Sequence, residues 1–361
     1  MLQSASKIKI LIVVPSLICG GVQRTAAVLC NYMDTVKYEV TLVVLNNTDP
    51  FFQITNKEIK IIDMGIPKVR NSLFPVLKLT KYIKPDIILL TSNHLNLFFG
   101  IFKWLFPKKI KIIARESSIV SINNKRAPNP VFYDWLTRVF YKKIDLVVCQ
   151  SEYMQHDLVK NYNIKIGKTT VIYNAVIPVL LNVESISAPE FVRFIAVSRL
   201  SEEKGLDRLI RAVSHIKIPY QFTIIGEGDM HNRLQALINE LALQQKIFLT
   251  GRKELPFAEV NKPDLFLMGS YYEGFPNAML EAIAAGIPVV AFNAPGGIAE
   301  LVVNYENGIM VEGNDEQAFA EAIQKALDHK FDKKKMAESA LKRFNIDNIM
   351  KQWYELFESL K

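Results

Sequence analysis

Ser270-Tyr271-Tyr272-Glu273-Gly274-Phe275-Pro276-Asn277-Ala278-Met279-Leu280-Glu281-Ala282 places two carboxylates eight residues apart, with backbone-permissive residues directly after the first. The apolar run Asp264 to Met268 precedes it and reads as a strand. Pro276 suits the first turn of a helix, and Gly286 followed by Pro288 suits its end. Glu273 therefore belongs to a strand-to-helix loop and Glu281 to the helix itself. A loop carboxylate at a helix N-terminus can accept hydrogen bonds from sugar hydroxyls, while the N–H groups of Gly274, Phe275 and Asn277 face an anion beside it. Glu281 can take a ribose diol. The spacing fits equally a helix-capping acid at 273 and a solvated acid at 281, so neighbouring segments have to decide.

Upstream, Phe191 to Ser198 reads as a buried strand that runs into Arg199-Leu200-Ser201-Glu202-Glu203-Lys204-Gly205, with an amphipathic helix starting near Leu206. In an open parallel sheet ligands bind at the carboxyl ends of strands, where Arg199 and Lys204 would neutralise a diphosphate, one as a planar fork and the other as a point charge. The competing reading is a surface loop in which Lys204 pairs with Glu202 or Glu203, worth about 0 to 1 kcal/mol. Near the amino terminus the strand Lys9 to Val14 leads into Pro15-Ser16-Leu17-Ile18-Cys19-Gly20-Gly21-Val22-Gln23-Arg24 and a helical stretch, Thr25 to Met33. Paired glycines permit close backbone approach and the helix N-terminus attracts anions; a plain tight turn fits as well.

The chain has 361 residues, half of them hydrophobic, enough for two domains of ordinary size. Strand-like segments (Thr41 to Leu45, Asp86 to Leu90, Lys111 to Ala114, Leu146 to Cys149, Thr170 to Tyr173, Ile247 to Leu249) alternate with helical patterns, the mark of parallel sheets covered on both faces. Periodicity lapses between Ala175 and Pro189, where Pro178, Asn182, Ser185, Ser187 and Pro189 read as a linker. The expected division is a domain over 1–176, a linker over 177–190 and a domain over 191–344. Ile346, Ile349, Met350, Trp353, Phe357 and Leu360 form an apolar stripe on a terminal helix, 345–361.

Together the Gly20-Gly21 loop, the Arg199 to Gly205 segment, Ile224-Ile225-Gly226-Glu227-Gly228-Asp229, Thr250-Gly251-Arg252 and the Glu273/Glu281 pair resemble the retaining glycosyltransferases of family 4, over nearly the whole chain. The resemblance implies the α/β GT-B fold: two Rossmann-like, doubly wound parallel-sheet domains facing a cleft, with the terminal helix returning to the first. It implies that Arg199 and Lys204 bind the donor phosphates and that, with Glu273 holding the transferred sugar and Glu116 on the acceptor side, they form the catalytic set. Gly20, Gly21, Arg24, Gly226, Gly228, Gly274, Phe275, Pro276, Asn277 and Glu281 fall on the donor side, and Gly251 and Arg252 line the base pocket. Many relatives carry a histidine where this chain has Ile113-Ala114-Arg115-Glu116-Ser117. Glu116 or Arg115 is expected to replace it on the acceptor side, and His94 is a further candidate, although a lone histidine among apolar residues is more often a packed side chain.

The implied reaction moves a UDP-linked hexose or N-acetylhexosamine to a glycolipid or polyprenyl-diphosphate saccharide, with no cofactor and no metal. An epimerase, a phosphorylase or a membrane-associated scaffold on the same plan are the rivals. Gly226 and Gly228 match two glycines of a dinucleotide fingerprint, but His231 occupies the third position; Gly167-Lys168-Thr169 lacks the first glycine of a phosphate loop, since Tyr162 stands there. No Asp-x-Asp occurs, and five scattered histidines offer no paired ligands. The net charge of +8, with Lys78, Lys81, Lys84, Lys103, Lys108, Lys109 and Lys111 in the first half, points to an anionic membrane surface rather than nucleic acid. The run Leu95 to Phe106 is too short to span and reads either as an interfacial helix or as an ordinary core helix. Cys19, Cys30 and Cys149 form neither a metal motif nor an even disulfide set, as expected of a cytoplasmic protein bound to the inner membrane face.

Overall fold

The computed structural model describes residues 7–18, 20–177, 191–260 and 262–361. The chain forms two compact units, Met1–Ala175 with Ile346–Lys361, and Val176–Asn345. Val176 falls with the second unit because its N–H donates to the Phe344 carbonyl and it bridges Asn345. The expected linker 177–190, apart from Ile177, lies outside the described residues, as does Cys19.

In the first unit β1 (Ile8–Val14), β2 (Tyr38–Val44), β3 (Lys60–Asp63), β4 (Ile87–Leu90), β5 (Lys111–Arg115), β6 (Leu146–Cys149) and β7 (Thr169–Val171) make one parallel sheet, in the order β3-β2-β1-β4-β5-β6-β7. Sequence order reverses at β1, so the loops after β1 and β4 diverge around a switch point. Alternate residues of β1 enter opposite cores: Ile10, Ile12 and Val14 on one face, Leu11 and Val13 on the other. The first helix begins at Gly21 rather than Thr25, because the Gly20 carbonyl already accepts the Arg24 N–H at 3.0 Å.

The helix Ile346–Ser359 belongs to this unit and fills the first of those cores with Ile349, Met350, Trp353 and Phe357. Tyr354 stacks on Tyr38 at 5.1 Å and its hydroxyl both accepts from Asp34 N–H and donates to the Tyr32 carbonyl. Of the two readings of the run Leu95 to Phe106, the structure selects the core helix. Leu95, Phe99 and Phe106 are buried, Phe98, Phe102 and Leu105 pack against them, and Lys103 pairs with Asp145. Within the run only Trp104 is strongly exposed, at 73%.

In the second unit β8 (Val192–Val197), β9 (Tyr220–Ile225), β10 (Ile247–Leu249), β11 (Leu265–Met268), β12 (Val289–Phe292) and β13 (Gly308–Val311) are again all parallel, in the order β10-β9-β8-β11-β12-β13. Their near-continuous apolar runs reflect burial on both faces. Here the switch point lies between β8 and β11, strands far apart in sequence that the sheet makes neighbours. Among the described residues no helix is long and apolar enough to cross a membrane.

Removing the Trp353 side chain leaves a large void in the first unit. Trp353→Ala is expected to destabilise that unit by about 3 to 5 kcal/mol, read as a lowered urea midpoint; an unchanged midpoint would show that the terminal helix contributes nothing to the core.

Candidate active site

The switch point of the second unit brings the loops after β8 and β11 together. Gly205 adopts φ +54°, and a Cβ on it would meet the Gly269 carbonyl oxygen at 2.0 Å, so the backbones touch where any side chain would part them. Lys204, at the end of the turn Glu202–Lys204, thereby reaches Glu273: its Nζ donates to Oε1 at 2.7 Å. Ser270 Oγ donates to the same oxygen at 2.6 Å. Both members of the pair are largely buried, so their attraction is weakly screened. Lys204 thus pairs with neither Glu202 nor Glu203. It is Arg199, 69% exposed, that donates to Glu203, at 2.8 Å.

Glu273 is fixed from behind as well. Its N–H donates to the Pro295 carbonyl, and it pairs with Gly296, whose φ of +118° and close approach exclude a side chain: a Cβ would lie 1.5 Å from the Glu273 carbonyl oxygen. The helix Asn277–Ala284 starts directly after Pro276 with no side-chain cap and no acid in its first turn. Its amino-terminal N–H groups keep their partial positive charge. Glu281, one turn in, is buried rather than a solvated face residue. Phe275 packs against Phe344 at 5.9 Å, so its side chain belongs to the core. On the other side of β8, the Gly226 N–H donates to the Gly251 carbonyl, and the Leu200 N–H donates to the Glu227 carbonyl, which stitches the Gly226 and Gly228 loop to the Arg199 loop. Arg252 stands exposed beside Gly251.

Arg208 escaped the sequence reading. It lies on the helix Leu206–Ser214, one turn beyond Lys204, and is buried beneath the Glu273 loop. Its Nε donates to the Gly269 carbonyl at 2.6 Å, Nη2 to the Ser270 carbonyl at 2.5 Å and Nη1 to Asn314 Oδ1 at 2.6 Å. The guanidinium lies 4.2 Å from the Tyr271 ring centroid and 4.0 Å from that of Phe292. The one available signal was a cation between buried Leu206 and Leu209.

In the first unit Gly20 and Gly21 open the helix Gly21–Asn31, also uncapped and without an early acid, with Arg24 in its first turn. His94 is exposed on the helix Asn93–Ile101, not packed. Arg115 and Glu116 are enclosed, which departs from the open, acceptor-facing placement expected of them: both side chains are buried among polar partners. Arg115 Nη2 donates to Asn174 Oδ1 at 2.6 Å and to Thr25 Oγ1 at 3.1 Å. Burial pulls its pKa down to about 9, against the opposing pull of Glu116. Glu116 Oε1 accepts from Asn96 Nδ2 and Tyr141 OH, each at 2.7 Å. Burial pushes its carboxyl up to about 7, even though both hydrogen bonds favour the charged form.

Two family profiles match: Glycosyltransferase Family 4 over residues 19–179 and Glycosyl transferases group 1 over residues 184–343. The chain is a glycosyltransferase, and it belongs to family 4, with the GT-B fold of two Rossmann-like domains. The N-acetylgalactosamine-N,N'-diacetylbacillosaminyl-diphospho-undecaprenol 4-alpha-N-acetylgalactosaminyltransferase of Campylobacter jejuni is 29% identical over 92% of this chain and 98% of that protein. The amylovoran biosynthesis glycosyltransferase AmsD of Erwinia amylovora is 23% identical over 93% and 95%. Anabaena HepE, solved in complex with UDP and glucose, superposes with a TM-score of 0.76 at 20% identity, covering 98% of this chain and 100% of its own.

Arg208→Met keeps much of the volume and removes every donor. The second unit should lose about 3 kcal/mol, since hydrogen bonds from a charged donor contribute about 1.5 to 3 kcal/mol each; unaltered stability in denaturant titration would contradict the bracing role. Glu116 gives a pH test. The native chain holds this proton above its unperturbed value of 4.5, so stability is lost as pH rises from 4.5 toward about 7. Glu116→Gln escapes that loss: its melting temperature relative to the parent should be higher at about pH 8 than at about pH 5, and a pH-independent difference would refute a raised pKa.

Proposed function

We propose that the protein transfers a sugar from a UDP-sugar to a hydroxyl of a membrane-associated glycan acceptor, with retention at the anomeric carbon, in the synthesis of a surface polysaccharide or glycolipid. The observation that carries this reading is the Lys204–Glu273 pair, held at 2.7 Å where the two central strand ends of the second sheet meet. A cation and a carboxylate fixed side by side at a switch point match a donor that is anionic at its diphosphate and hydroxylated at its sugar.

In this reading Lys204 and Arg199 compensate the charge that grows on the departing diphosphate, and the uncapped N-terminus at Asn277 adds N–H groups of the same sign. Glu273 accepts hydrogen bonds from the sugar hydroxyls, which anchors the ring and makes the carboxylate a holder rather than a nucleophile. Its partners Ser270 and Lys204 preset the carboxylate before the donor arrives. Glu281 takes the ribose, and Gly251 and Arg252 line the base. The acceptor oxygen bonds to the anomeric carbon as the bond from that carbon to the β-phosphate oxygen breaks, releasing UDP and the hydroxyl proton. UDP and glucose in HepE support the donor class, and the lipid-linked substrate named for the Campylobacter jejuni relative supports the acceptor class.

The decisive assay incubates the protein with a panel of labelled nucleotide sugars, with and without membrane lipid extract, and follows transfer into lipid. Lys204→Ala should lose tenfold to a hundredfold in kcat/KM, as expected from about 1.5 to 3 kcal/mol for a charge-assisted hydrogen bond at 1.36 kcal/mol per tenfold. Full turnover in that variant, or isotope release without transfer to lipid, defeats the proposal.

A further inference from the structure

The surface of the first unit carries an apolar face that the fold leaves uncovered. The helix Pro130–Phe140 is capped by Asn129, whose side chain accepts from the Phe132 N–H. Its inner side is settled: Thr137 is buried, and Asp134 Oδ1 accepts from Asn124 Nδ2 at 3.0 Å and Tyr162 OH at 2.6 Å. Its outer side presents Val131, Phe132 and Trp135, exposed to 81%, 49% and 54%. At positions i, i+1 and i+4 they share one helical face, and the rings of Phe132 and Trp135 lie nearly parallel at 6.2 Å.

The exposed charges that flank this helix along the chain have a single sign. Lys125 and Arg126 end the preceding helix, Arg138 lies on the same helix, and Lys142 and Lys143 follow in the next turn, all exposed. Between Ser117 and Ile144 the sole acid is Asp134, whose carboxylate is turned inward as described. A Trp-containing apolar face rimmed by cations matches the boundary of an anionic bilayer, where aromatic rings sit at headgroup depth and basic side chains meet lipid phosphates.

We propose that this helix face docks the first unit onto the anionic surface of a lipid bilayer, with Val131, Phe132 and Trp135 inserted among the headgroups. The contact is thus displaced from the Leu95 to Phe106 run, whose apolar side chains, the exposed Trp104 apart, pack into the core. The competing surface, on the helix Leu73–Ile83, sets Phe74 and Tyr82 eight residues apart with exposed Lys78 and Lys81 between, and so forms no continuous apolar patch. This inference rests on the membrane-bound acceptor proposed above, and its test needs no sugar donor, so the two can fail separately.

The full chain is sedimented with phosphatidylcholine vesicles and with mixed phosphatidylcholine–phosphatidylglycerol vesicles. Binding is expected to the mixed vesicles, to weaken as salt rises, and to fall about tenfold or more in both Phe132→Ser/Trp135→Ser and Lys142→Glu/Lys143→Glu. These side chains are exposed, and an unchanged melting temperature checks that the variants fold. The sequence has three tryptophans, of which Trp353 is buried. Brominated lipid should therefore quench the fluorescence of Trp104→Phe, which retains Trp135, and leave Trp135→Phe unquenched. Absence of binding by the parent chain, equal binding to uncharged vesicles, undiminished binding by either double variant, quenching through Trp104, or loss in Phe74→Ser/Tyr82→Ser alone overturns the proposal.

Discussion

The ion pair between Lys204 and Glu273 depends on a backbone contact that tolerates no side chain. Gly205 and Gly269 meet where the loops after β8 and β11 leave the sheet, and that closeness lets a cation on one loop touch a carboxylate on the other. Around it the second unit supplies support in layers. Ser270 shares the carboxylate oxygen, Pro295 and Gly296 hold the Glu273 backbone, and Arg208 takes the carbonyls of Gly269 and Ser270 from below. Moving two charges out of water is costly, and replacing such a pair by apolar groups is often neutral for stability. In the function proposed above, its placement at a strand-end switch point serves preorganisation for a ligand rather than folding.

The first unit uses charge in the opposite way. Arg115, Asn174, Gln150, Glu116 and Asn96 form a chain of buried hydrogen bonds that ties the ends of β5 and β6 to the segment after β7 and, through Thr25, to the first helix. Enclosure changes what the ionisable members can do: the carboxyl of Glu116 is held toward its neutral form and the guanidinium of Arg115 loses part of its preference for charge. Such a network fixes the strand ends from within, while Arg138 on the Pro130–Phe140 helix and Lys125, Arg126, Lys142 and Lys143 on the segments flanking it meet solvent.

Much of the architecture was legible because parallel sheets write themselves in short apolar runs between helical patterns. β6 and β10 coincide with the segments read from sequence, and the terminal helix shows its core stripe at Ile349, Met350, Trp353 and Phe357. The site was legible in part. Arg199, Lys204 and Glu273 stood out as charges at strand ends, whereas Arg208 resembled any helix-surface cation until its carbonyl partners were known. Glu116 and His94 exchanged their expected surroundings, the acid enclosed and the imidazole exposed.

The sequence by itself determined the α/β class, the two-domain organisation, the family and which loops carry charge next to glycine, because these follow from local periodicity and from residues adjacent in the chain. Tertiary structure alone decided that Lys204 answers Glu273 rather than its neighbours, that Arg208 braces the loop, and that the aromatic run Leu95 to Phe106 is core while Val131, Phe132 and Trp135 face outward. Those outcomes turn on which strands the sheet makes adjacent and which side of a helix another element covers. Periodicity marks an apolar or charged position but does not say what will lie against it.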